Sequence, residues 1–159
     1  MTPGQPVIRR ATPGDVAAIG GLTDAAYRKY IPLIGRKPQP MTADYALLVE
    51  EHPIWLAEIG RHLAGVLVLQ HEPDSMLIYS VAIEPAHQKR GLGRLLLEWA
   101  EQQARLAGYR SLRLYTNALM RENIALYTRL GYQETRRESY GGGAIVHMTK
   151  PLGPADSAG

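Results

Sequence analysis

The chain has 159 residues, and its 18 lysine and arginine side chains exceed its 15 aspartates and glutamates, which leaves a net charge of +3. It contains no cysteine, which excludes a thiol nucleophile, thiolate metal ligands and a disulfide framework. No apolar run approaches the ~20 residues of a membrane helix, and the first residues lack the pattern of a signal peptide, so we expect a cytoplasmic protein without a membrane partner. The length predicts one domain, residues 1–152, followed by a disordered tail, residues 153–159.

The positive charge raises the question of a nucleic-acid partner. The basic residues are spread through the predicted helices and strands, without an aromatic-interleaved stripe or the pattern of a recognition helix. We therefore expect no nucleic-acid partner. The sequence carries no argument about a subunit interface, so a monomer and a homodimer are both open.

Hydrophobic periodicity and turn residues divide the chain into strands and helices. The segment Thr12-Pro13-Gly14-Asp15 is typical of a helix N-terminus, and this helix is predicted to run toward Tyr30. Thr42 is the predicted cap of a short second helix that ends at Glu51. The other predicted elements are the strand Val7–Ala11, the hairpin strands Trp55–Ile59 and Ala64–Gln70, the strand Leu77–Ile83, the helix Leu92–Ala107, the strand Leu112–Asn117, a helix around Asn123–Tyr127, and the strands Tyr132–Tyr140 and Ala144–Thr149.

The segment between the strand Leu77–Ile83 and the following helix predicts a phosphate-binding turn. Its sequence is Gln88-Lys89-Arg90-Gly91-Leu92-Gly93. The first turn of a helix has unpaired N–H groups and carries the positive end of the helix dipole, so a phosphate meets donors and a favourable field there. The glycines let the backbone come close, while Lys89, Arg90 and Arg94 add positive charge.

Two better-known phosphate motifs do not fit this turn. Leu96 stands where a dinucleotide-binding fold requires a third small residue, and no Gly-Lys-Ser/Thr follows the glycines. The residues from Glu84 to Gln88 separate the strand from the basic turn, which makes the connection longer than the tight turn of a Rossmann unit. The sequence therefore excludes the Rossmann and the P-loop interpretations.

Two motifs together resemble a known enzyme family. The first is the Gln-x-x-Gly-x-Gly turn after a Val-Ala-Ile strand that ends before Pro85, which is similar to the acetyl-CoA signature of the GNAT superfamily of N-acetyltransferases. The second is Asn123-Ile124-Ala125-Leu126-Tyr127 followed by Leu130-Gly131-Tyr132, which resembles the Asn-x-x-Ala-x-x-Leu-Tyr-x-x-x-Gly-Phe/Tyr block of the same family. They stand in the expected order, and the resemblance extends from about Val7 to Lys150.

The resemblance implies an α+β fold, with a central mixed, mostly antiparallel sheet of about seven strands, a splayed parallel pair and about four flanking helices. It implies acetyl-CoA as the cosubstrate, main-chain contacts of Val81 and Ile83 with the pantetheine arm, and a backbone donor there for the thioester oxygen. It also implies that Tyr127 protonates the departing thiolate, and Asn123 lies four residues earlier on the same helix face. The implied cofactor-binding residues are Val81, Ala82, Ile83, Gln88, Lys89, Arg90, Gly91, Leu92, Gly93, Arg94, Asn117, Asn123 and Tyr127.

The sequence does not assign the general base. Glu84 stands at the strand end nearest the predicted site, but an ordinary surface carboxylate before Pro85 explains it as well. Many relatives place a carboxylate or amide where this chain has Tyr79-Ser80. A water chain or an already deprotonated substrate is therefore open as an alternative.

Other chemistries are not expected. The histidines at positions 52, 62, 71, 87 and 147 form no i, i+4 pair and no His-Glu-x-x-His motif, so no metal site is predicted. Ser80 lacks a Gly-x-Ser-x-Gly elbow, so serine hydrolase chemistry is not predicted. The expected mechanism is direct attack of an amine on the bound thioester.

The acceptor depends on loops that the motifs do not define. The segment Tyr30–Met41 occupies the place where the family builds its acceptor wall, and its Arg36 and Lys37 either hold a substrate carboxylate or are solvated. The glycine loop Tyr140–Gly143 is a second candidate wall. The expected function is acetylation of a small primary amine; acetylation of a protein N-terminus or lysine, and a non-catalytic CoA-sensing module, are the alternatives.

Overall fold

The strands and longer helices follow one another in the predicted order. A computed structural model of the chain describes residues 5–140 and 143–153. Four of the described helices are longer than one turn, and one, α2, is a single turn. The elements are β1 (Pro6–Arg10), α1 (Val16–Tyr27), α2 (Ile31–Ile34), α3 (Tyr45–Glu51), β2 (Ile54–Ile59), β3 (His62–His71), β4 (Met76–Ile83), α4 (Leu92–Leu106), β5 (Ser111–Asn117), α5 (Arg121–Arg129), β6 (Gln133–Tyr140) and β7 (Gly143–Pro151).

The strands form one mixed sheet in the order β1-β2-β3-β4-β5-β7-β6. The pair β4 and β5 is parallel, with Met76 opposite Leu112 and Ile78 opposite Leu114. The pairs β1 with β2, β2 with β3, β5 with β7 and β6 with β7 are antiparallel. The α+β class, with a mostly antiparallel sheet and one parallel pair, is therefore confirmed.

Two compact units are distinguished within the described chain. The first unit comprises residues 5–70 and 79–100, and the second comprises residues 71–78, 101–140 and 143–153. The core of the first unit is built from α1, β2, β3 and β4, with Ile19, Ile54 and Val66 fully buried. In the second unit Leu112 and Val146 are fully buried on neighbouring strands. The single domain over residues 1–152 stays a prediction.

The first half of α4 packs closely on β3 because Gly65 has no side chain. A Cβ at that position would lie 3.0 Å from a methyl carbon of Leu96 and 3.2 Å from the terminal methyl of Ile83. The apolar face of the helix is buried there, since Leu92, Leu96 and Ala100 are all at most 5% exposed. This packing sets the position of the helix N-terminus, where the predicted phosphate turn lies.

The observed N-terminus of α1 agrees with the sequence prediction, whereas the observed N-terminus of α3 differs from it. Asp15 accepts a hydrogen bond from the Thr12 N–H at 2.8 Å, as the N-terminal signal predicts, although a single 3-10 turn precedes α1. The cap of α3 is Asp44, which accepts from the Leu47 N–H, so the prediction of Thr42 as the cap is wrong. Asp44 prevails because it directly precedes the first helical residue, where its carboxylate reaches the N–H groups of the first turn.

Two predicted segments lie partly outside the described residues. Of the expected tail 153–159 only Gly153 is described, and of the glycine loop the residues 141–142 are not. Among the described helices, none combines the length and the apolar composition needed to cross a membrane.

Candidate active site

The turn between β4 and α4 has an unusual backbone. Lys89 has φ 63°, the only positive value at a non-glycine position in the described chain, and Gly91 has φ 84°. A left-handed residue with a side chain costs on the order of 1–3 kcal/mol and is found mainly at functional sites. Left-handed residues in a turn also gather successive N–H groups into a concave surface that suits an anion.

The first N–H groups of the helix that follows have no acceptors within the helix itself. Leu95 N–H donates to the Gly91 carbonyl at 3.0 Å, so the N–H groups of the preceding residues have no acceptor within the helix. Leu92 is 5% exposed, so only its main chain is offered to a ligand. A Cβ on Gly93 would meet no protein atom closer than Ile83 Cγ1 at 3.9 Å, so the fold itself does not require glycine there.

Positive charge surrounds this turn, as the sequence predicts. Lys89, Arg90 and Arg94 are all exposed. Arg94 pairs with Glu98 at 3.3 Å one helical turn later, which neutralises part of its charge. Lys89 and Arg90 are therefore the stronger candidates for contact with an anion.

Gln88 ties the turn to the rest of the first unit. Its Nε2 donates to the Ile83 carbonyl at 3.0 Å, and its Oε1 accepts from Lys29 Nζ at 3.1 Å. The side chain is thus engaged at both ends within the protein. These two hydrogen bonds fix the position of the turn relative to β4 and to Lys29.

The last residues of β4 present main-chain donors on one side of the strand. Glu84 N–H donates to Ala64 on β3, and alternation along a strand directs the Val81 and Ile83 backbone groups away from β3. The Val81 carbonyl accepts from the Tyr27 hydroxyl at 3.1 Å, and Gln88 covers the Ile83 carbonyl. Ala82 itself is 1% exposed and belongs to the core.

Tyr27 was not among the residues singled out from the sequence. Its hydroxyl also lies 3.5 Å from Ser80 Oγ, and burial raises its pKa, so at neutral pH it is a hydrogen-bond donor. The sequence signal was weak, because Tyr27 is one of nine tyrosines. Only its position at the end of α1, against β4, distinguishes it.

Glu84 is held by two histidines. Its Oε2 lies 2.7 Å from His62 Nε2 and its Oε1 lies 2.9 Å from His87 Nδ1. Desolvation acts to raise the pKa of Glu84, but the two hydrogen bonds outweigh it and the pKa is lowered. A carboxylate with a lowered pKa is a weaker base toward an amine. The three side chains also form a group with the spacing of metal ligands.

In the second unit, the residues of the second motif lie on α5 and directly after it. Asn123 and Tyr127 are half-buried, four residues apart on one helix face. The Tyr127 ring packs edge-on against Tyr132 at 5.9 Å, and the Tyr132 N–H donates to the Tyr127 carbonyl at 3.0 Å. The segment that follows α5 therefore holds Tyr127 in position.

Asn117, the last residue of β5, has a structural role in the turn before α5. Its Oδ1 accepts from the Leu119 N–H at 2.9 Å, and its carbonyl accepts from the Met120 N–H at 2.9 Å. These bonds close the turn between β5 and α5. The amide oxygen of Asn117 is therefore engaged within the protein.

A polar network of the second unit, on β5, β6, β7 and the segment before β4, escaped the sequence analysis. Arg113 binds both carboxylate oxygens of Glu72, at 2.6 and 2.8 Å, and lies 3.3 Å from His147 Nδ1. His147 Nε2 lies 2.5 Å from Glu138. The hydrogen bond from Arg113 lowers the pKa of Glu72, and the one from His147 lowers the pKa of Glu138. Contacts up to 41 residues apart along the chain leave no local sequence signal.

Comparison with known proteins identifies the family. The model of the acetyltransferase (GNAT) family matches residues 21–132, well over half of the chain, and the chain therefore belongs to this family.

Two curated relatives act on different acceptors. The [ribosomal protein bS18]-alanine N-acetyltransferase of Salmonella typhimurium is 35% identical over 79 residues, which cover 49% of this chain and 53% of that protein. The mycothiol acetyltransferase of Jonesia denitrificans is 34% identical over 104 residues, covering 64% of this chain and 31% of that protein. The matched part of the chain thus spans about half the length of the first of these relatives and less than a third of the second.

A solved structure resembles the whole chain. The PaiA N-acetyltransferase of Thermoplasma acidophilum, in complex with coenzyme A, superposes with a TM-score of 0.78 at 17% identity, covering 93% of this chain and 99% of that one. At this identity the likeness establishes the fold.

Proposed function

We propose that the chain is an acetyl-CoA-dependent N-acetyltransferase that passes the acetyl group directly to a primary amine. The observation that carries the proposal is the turn before α4, where Lys89 and Gly91 both have positive φ and exposed basic side chains flank the first helical turn. Membership of the GNAT family supports acetyl-CoA as the ligand of this turn.

The phosphates of the cosubstrate are assigned to the main chain of the turn. The N–H groups of Gly91, Leu92 and Gly93 supply donors, and Lys89 and Arg90 supply charge. Gly93 fits this assignment because the fold leaves space for a Cβ there, so close approach of a ligand is the remaining reason for a glycine.

The acetyl thioester supplies the electrophilic carbonyl carbon. The main-chain N–H of Val81 or Ile83, on the side of β4 that faces away from β3, is proposed to donate to its oxygen as negative charge develops. A fixed backbone donor of this kind contributes most when it points to the charge that forms in the transition state. Tyr27 and Gln88 support this role by holding the neighbouring carbonyls in place.

Two proton transfers accompany the reaction, and their costs differ. An amine with a pKa of ~10.4 costs about 4.6 kcal/mol to neutralise at pH 7, whereas a thiol with a pKa of ~8.5 accounts for about 2 kcal/mol. We assign the smaller task, protonation of the departing sulfur, to the Tyr127 hydroxyl. The nitrogen–carbon bond forms, the carbon–sulfur bond breaks, and the thiolate takes the phenolic proton. The proton that the nitrogen loses on becoming an amide returns through water to the Tyr127 phenolate, so the enzyme is regenerated.

The larger task, removal of the amine proton, is assigned to water or to binding of the amine already neutral. Glu84 is disfavoured as the base because its two histidine hydrogen bonds lower its pKa. Glutamates with a base role need the opposite shift.

A small primary amine is the proposed acceptor class. The segment between α1 and α3 contains α2 and a 3-10 turn at Gln39–Thr42 and exposes Arg36 and Lys37, and we assign it to the acceptor wall. Two cationic side chains at such a wall favour an amine that also carries a carboxylate. A protein N-terminus is the second candidate, supported by the relative that acetylates alanine of a ribosomal protein.

Release of free CoA tests the proposal. Because the chain has no cysteine, a thiol reagent reports CoA without background from the protein. The acceptors are pooled amino acids, polyamines, aminoglycosides and short peptides with free N-termini. We expect release above the no-amine rate in an amino-acid pool; release only with peptides would replace the small-molecule acceptor by a protein N-terminus.

Binding of acetyl-CoA without release in any pool would contradict the catalytic proposal and favour a CoA-sensing module. Failure to bind acetyl-CoA in calorimetry would contradict the assignment of the phosphate turn as well.

A further inference from the structure

His62, Glu84 and His87 bring three metal-ligating groups together beside the phosphate turn. His62 begins β3, Glu84 follows β4 directly, and His87 lies in the 3-10 turn Pro85–His87. The ligand atoms of the three side chains all lie within 4.8 Å of one another. We propose that these residues form a binding site for a divalent transition-metal ion, with Zn²⁺ as the best match.

The distances suit this ion. Zinc binds histidine nitrogen at about 2.0–2.1 Å and carboxylate oxygen at about 2.0–2.2 Å, so two ligand atoms of a tetrahedral site are about 3.4 Å apart. In the structure the His62 and His87 nitrogens lie 2.7 and 2.9 Å from the Glu84 oxygens. Side-chain rotations that move the ligand atoms by about 1 Å suffice to bring all three groups to one centre. The reason is that no distance between two ligand atoms differs from the ideal separation by much more than this.

The ligand types select the metal class. Two imidazoles and one carboxylate suit zinc and neighbouring transition metals, whereas calcium and magnesium prefer sites made of oxygen alone. The ligand set leaves a fourth position of the tetrahedron to water, which is accessible because the His62 side chain is 58% exposed.

The supports of the ligands are rigid. Glu84 N–H donates to the Ala64 carbonyl, which continues the pairing of β3 with β4, and His87 N–H donates to the Glu84 carbonyl at 2.8 Å. The ring centroids of His62 and His87 lie 5.5 Å apart, and each ring has one nitrogen at hydrogen-bond distance from the Glu84 carboxylate. On metal binding, each histidine offers the nitrogen that now faces Glu84, and its ring proton moves to the other nitrogen through solvent.

The site adjoins the cofactor turn, since Gln88 directly follows His87. A bound ion joins the start of β3 to the residue before Gln88. It therefore restricts the connection that carries the phosphate turn, without contacting the phosphates.

Calorimetric titration of the full chain with ZnCl₂, after treatment with a chelator and without a histidine tag, tests the proposal. We expect saturable binding of one ion, weakened at least about tenfold in His62→Ala and in His87→Gln, because each variant removes one of three ligands. His71→Ala removes an exposed imidazole outside the cluster and is expected to bind like the wild type. Absence of saturable binding, or equal affinity in His62→Ala, overturns the proposal.

A spectroscopic measurement identifies the ligands independently. Co²⁺ is expected to give the intense visible absorption of a tetrahedral site in the wild type and to lose it in Glu84→Gln. Circular dichroism of each variant verifies that it is folded. Neither readout depends on turnover, so the zinc proposal and the proposed acetyltransferase activity fail or succeed separately.

Discussion

Two turns of this chain connect a strand to a helix, and they use their polar groups differently. Between β5 and α5, the Asn117 side chain accepts from the Leu119 N–H and the turn satisfies its own donors. Between β4 and α4, the Gln88 side chain reaches backward to the Ile83 carbonyl, and the backbone after it adopts left-handed conformations at Lys89 and Gly91. The first turn is closed by hydrogen bonds of its own residues, whereas we propose that the second offers its N–H groups to an external anion.

The difference shows how a binding turn is recognised in a fold. A left-handed residue with a side chain costs free energy that a purely structural turn avoids. A third connection, between β1 and α1, is also self-capped, because Asp15 accepts from the Thr12 N–H. Only the basic turn before α4 departs from this pattern among these three.

Charge reversal at Arg90 is expected to have the largest effect. Arg90→Glu should weaken acetyl-CoA binding at least about a hundredfold, because hydrogen bonds to charged groups contribute about 1.5–3 kcal/mol and the new carboxylate repels the phosphates. Calorimetry measures the dissociation constant. Arg110→Glu reverses an exposed charge outside the turn and should leave it unchanged; equal loss in both variants would show a general charge effect.

Removal of the Tyr127 hydroxyl is expected to affect turnover and spare affinity. Tyr127→Phe should lower kcat at least about tenfold, since general acid catalysis contributes this much or more, while acetyl-CoA binds nearly as before. Steady-state kinetics and calorimetry separate the two. The control is Tyr132→Phe, whose hydroxyl is buried without a hydrogen bond in the described residues; an unchanged kcat in Tyr127→Phe would refute the acid role.

Alanine substitutions in the two turns test the comparison directly. Gln88→Ala removes the hydrogen bond to the Ile83 carbonyl and should weaken acetyl-CoA binding severalfold.

Asn117→Ala should instead lower the free energy of unfolding in urea by about 1 kcal/mol, the value of one hydrogen bond, and leave the affinity for acetyl-CoA intact. If Asn117→Ala instead weakens acetyl-CoA binding and leaves the free energy of unfolding unchanged, the structural role of Asn117 is contradicted. The prediction that Asn117 contacts the cofactor would then be supported.

The self-capped turn at Asp15 predicts the smallest effect, on acid stability. Hydrogen bonds from Arg9 hold the pKa of Asp15 well below its usual range. A lowered pKa in the folded state contributes stability that is complete above the unfolded value of ~3.9 and declines as the pH falls below it. The stability difference between the wild type and Asp15→Asn should therefore shrink between pH 6 and pH 3 in urea titrations. Because the Arg9 side chain is 39% exposed, added salt should reduce this stability difference. A stability difference that grows toward pH 3 would contradict the prediction.

Much of the fold could be predicted because its signals are local. The periodicity of Leu92, Leu96 and Ala100 predicts the buried face of α4, and all three are buried. Asp44 was missed as the cap of α3 because Thr42 and Asp44 both have side chains that cap helices, and only the observed start of the helix decides between them.

The candidate site divides in the same way. The segment from Gln88 to Gly93 is a contiguous motif, and its backbone has positive φ at Lys89 and Gly91. The expectation that the histidines form no metal site considered only spacing along one helix. His62 and Glu84 are 22 residues apart, on separate elements, and no rule of local spacing covers such a pair.

The sequence by itself determined the order of the strands and longer helices and the family, because each depends on residues that are neighbours along the chain. Tertiary structure alone decided that Tyr27 reaches the Val81 carbonyl, that Glu84 lies between two histidines, and that Arg113 joins Glu72 to His147. Apart from the contact of Glu84 with His87, these contacts link residues 22 to 54 positions apart. Their geometry follows from strand register and helix packing, which buried surfaces across the whole fold determine together.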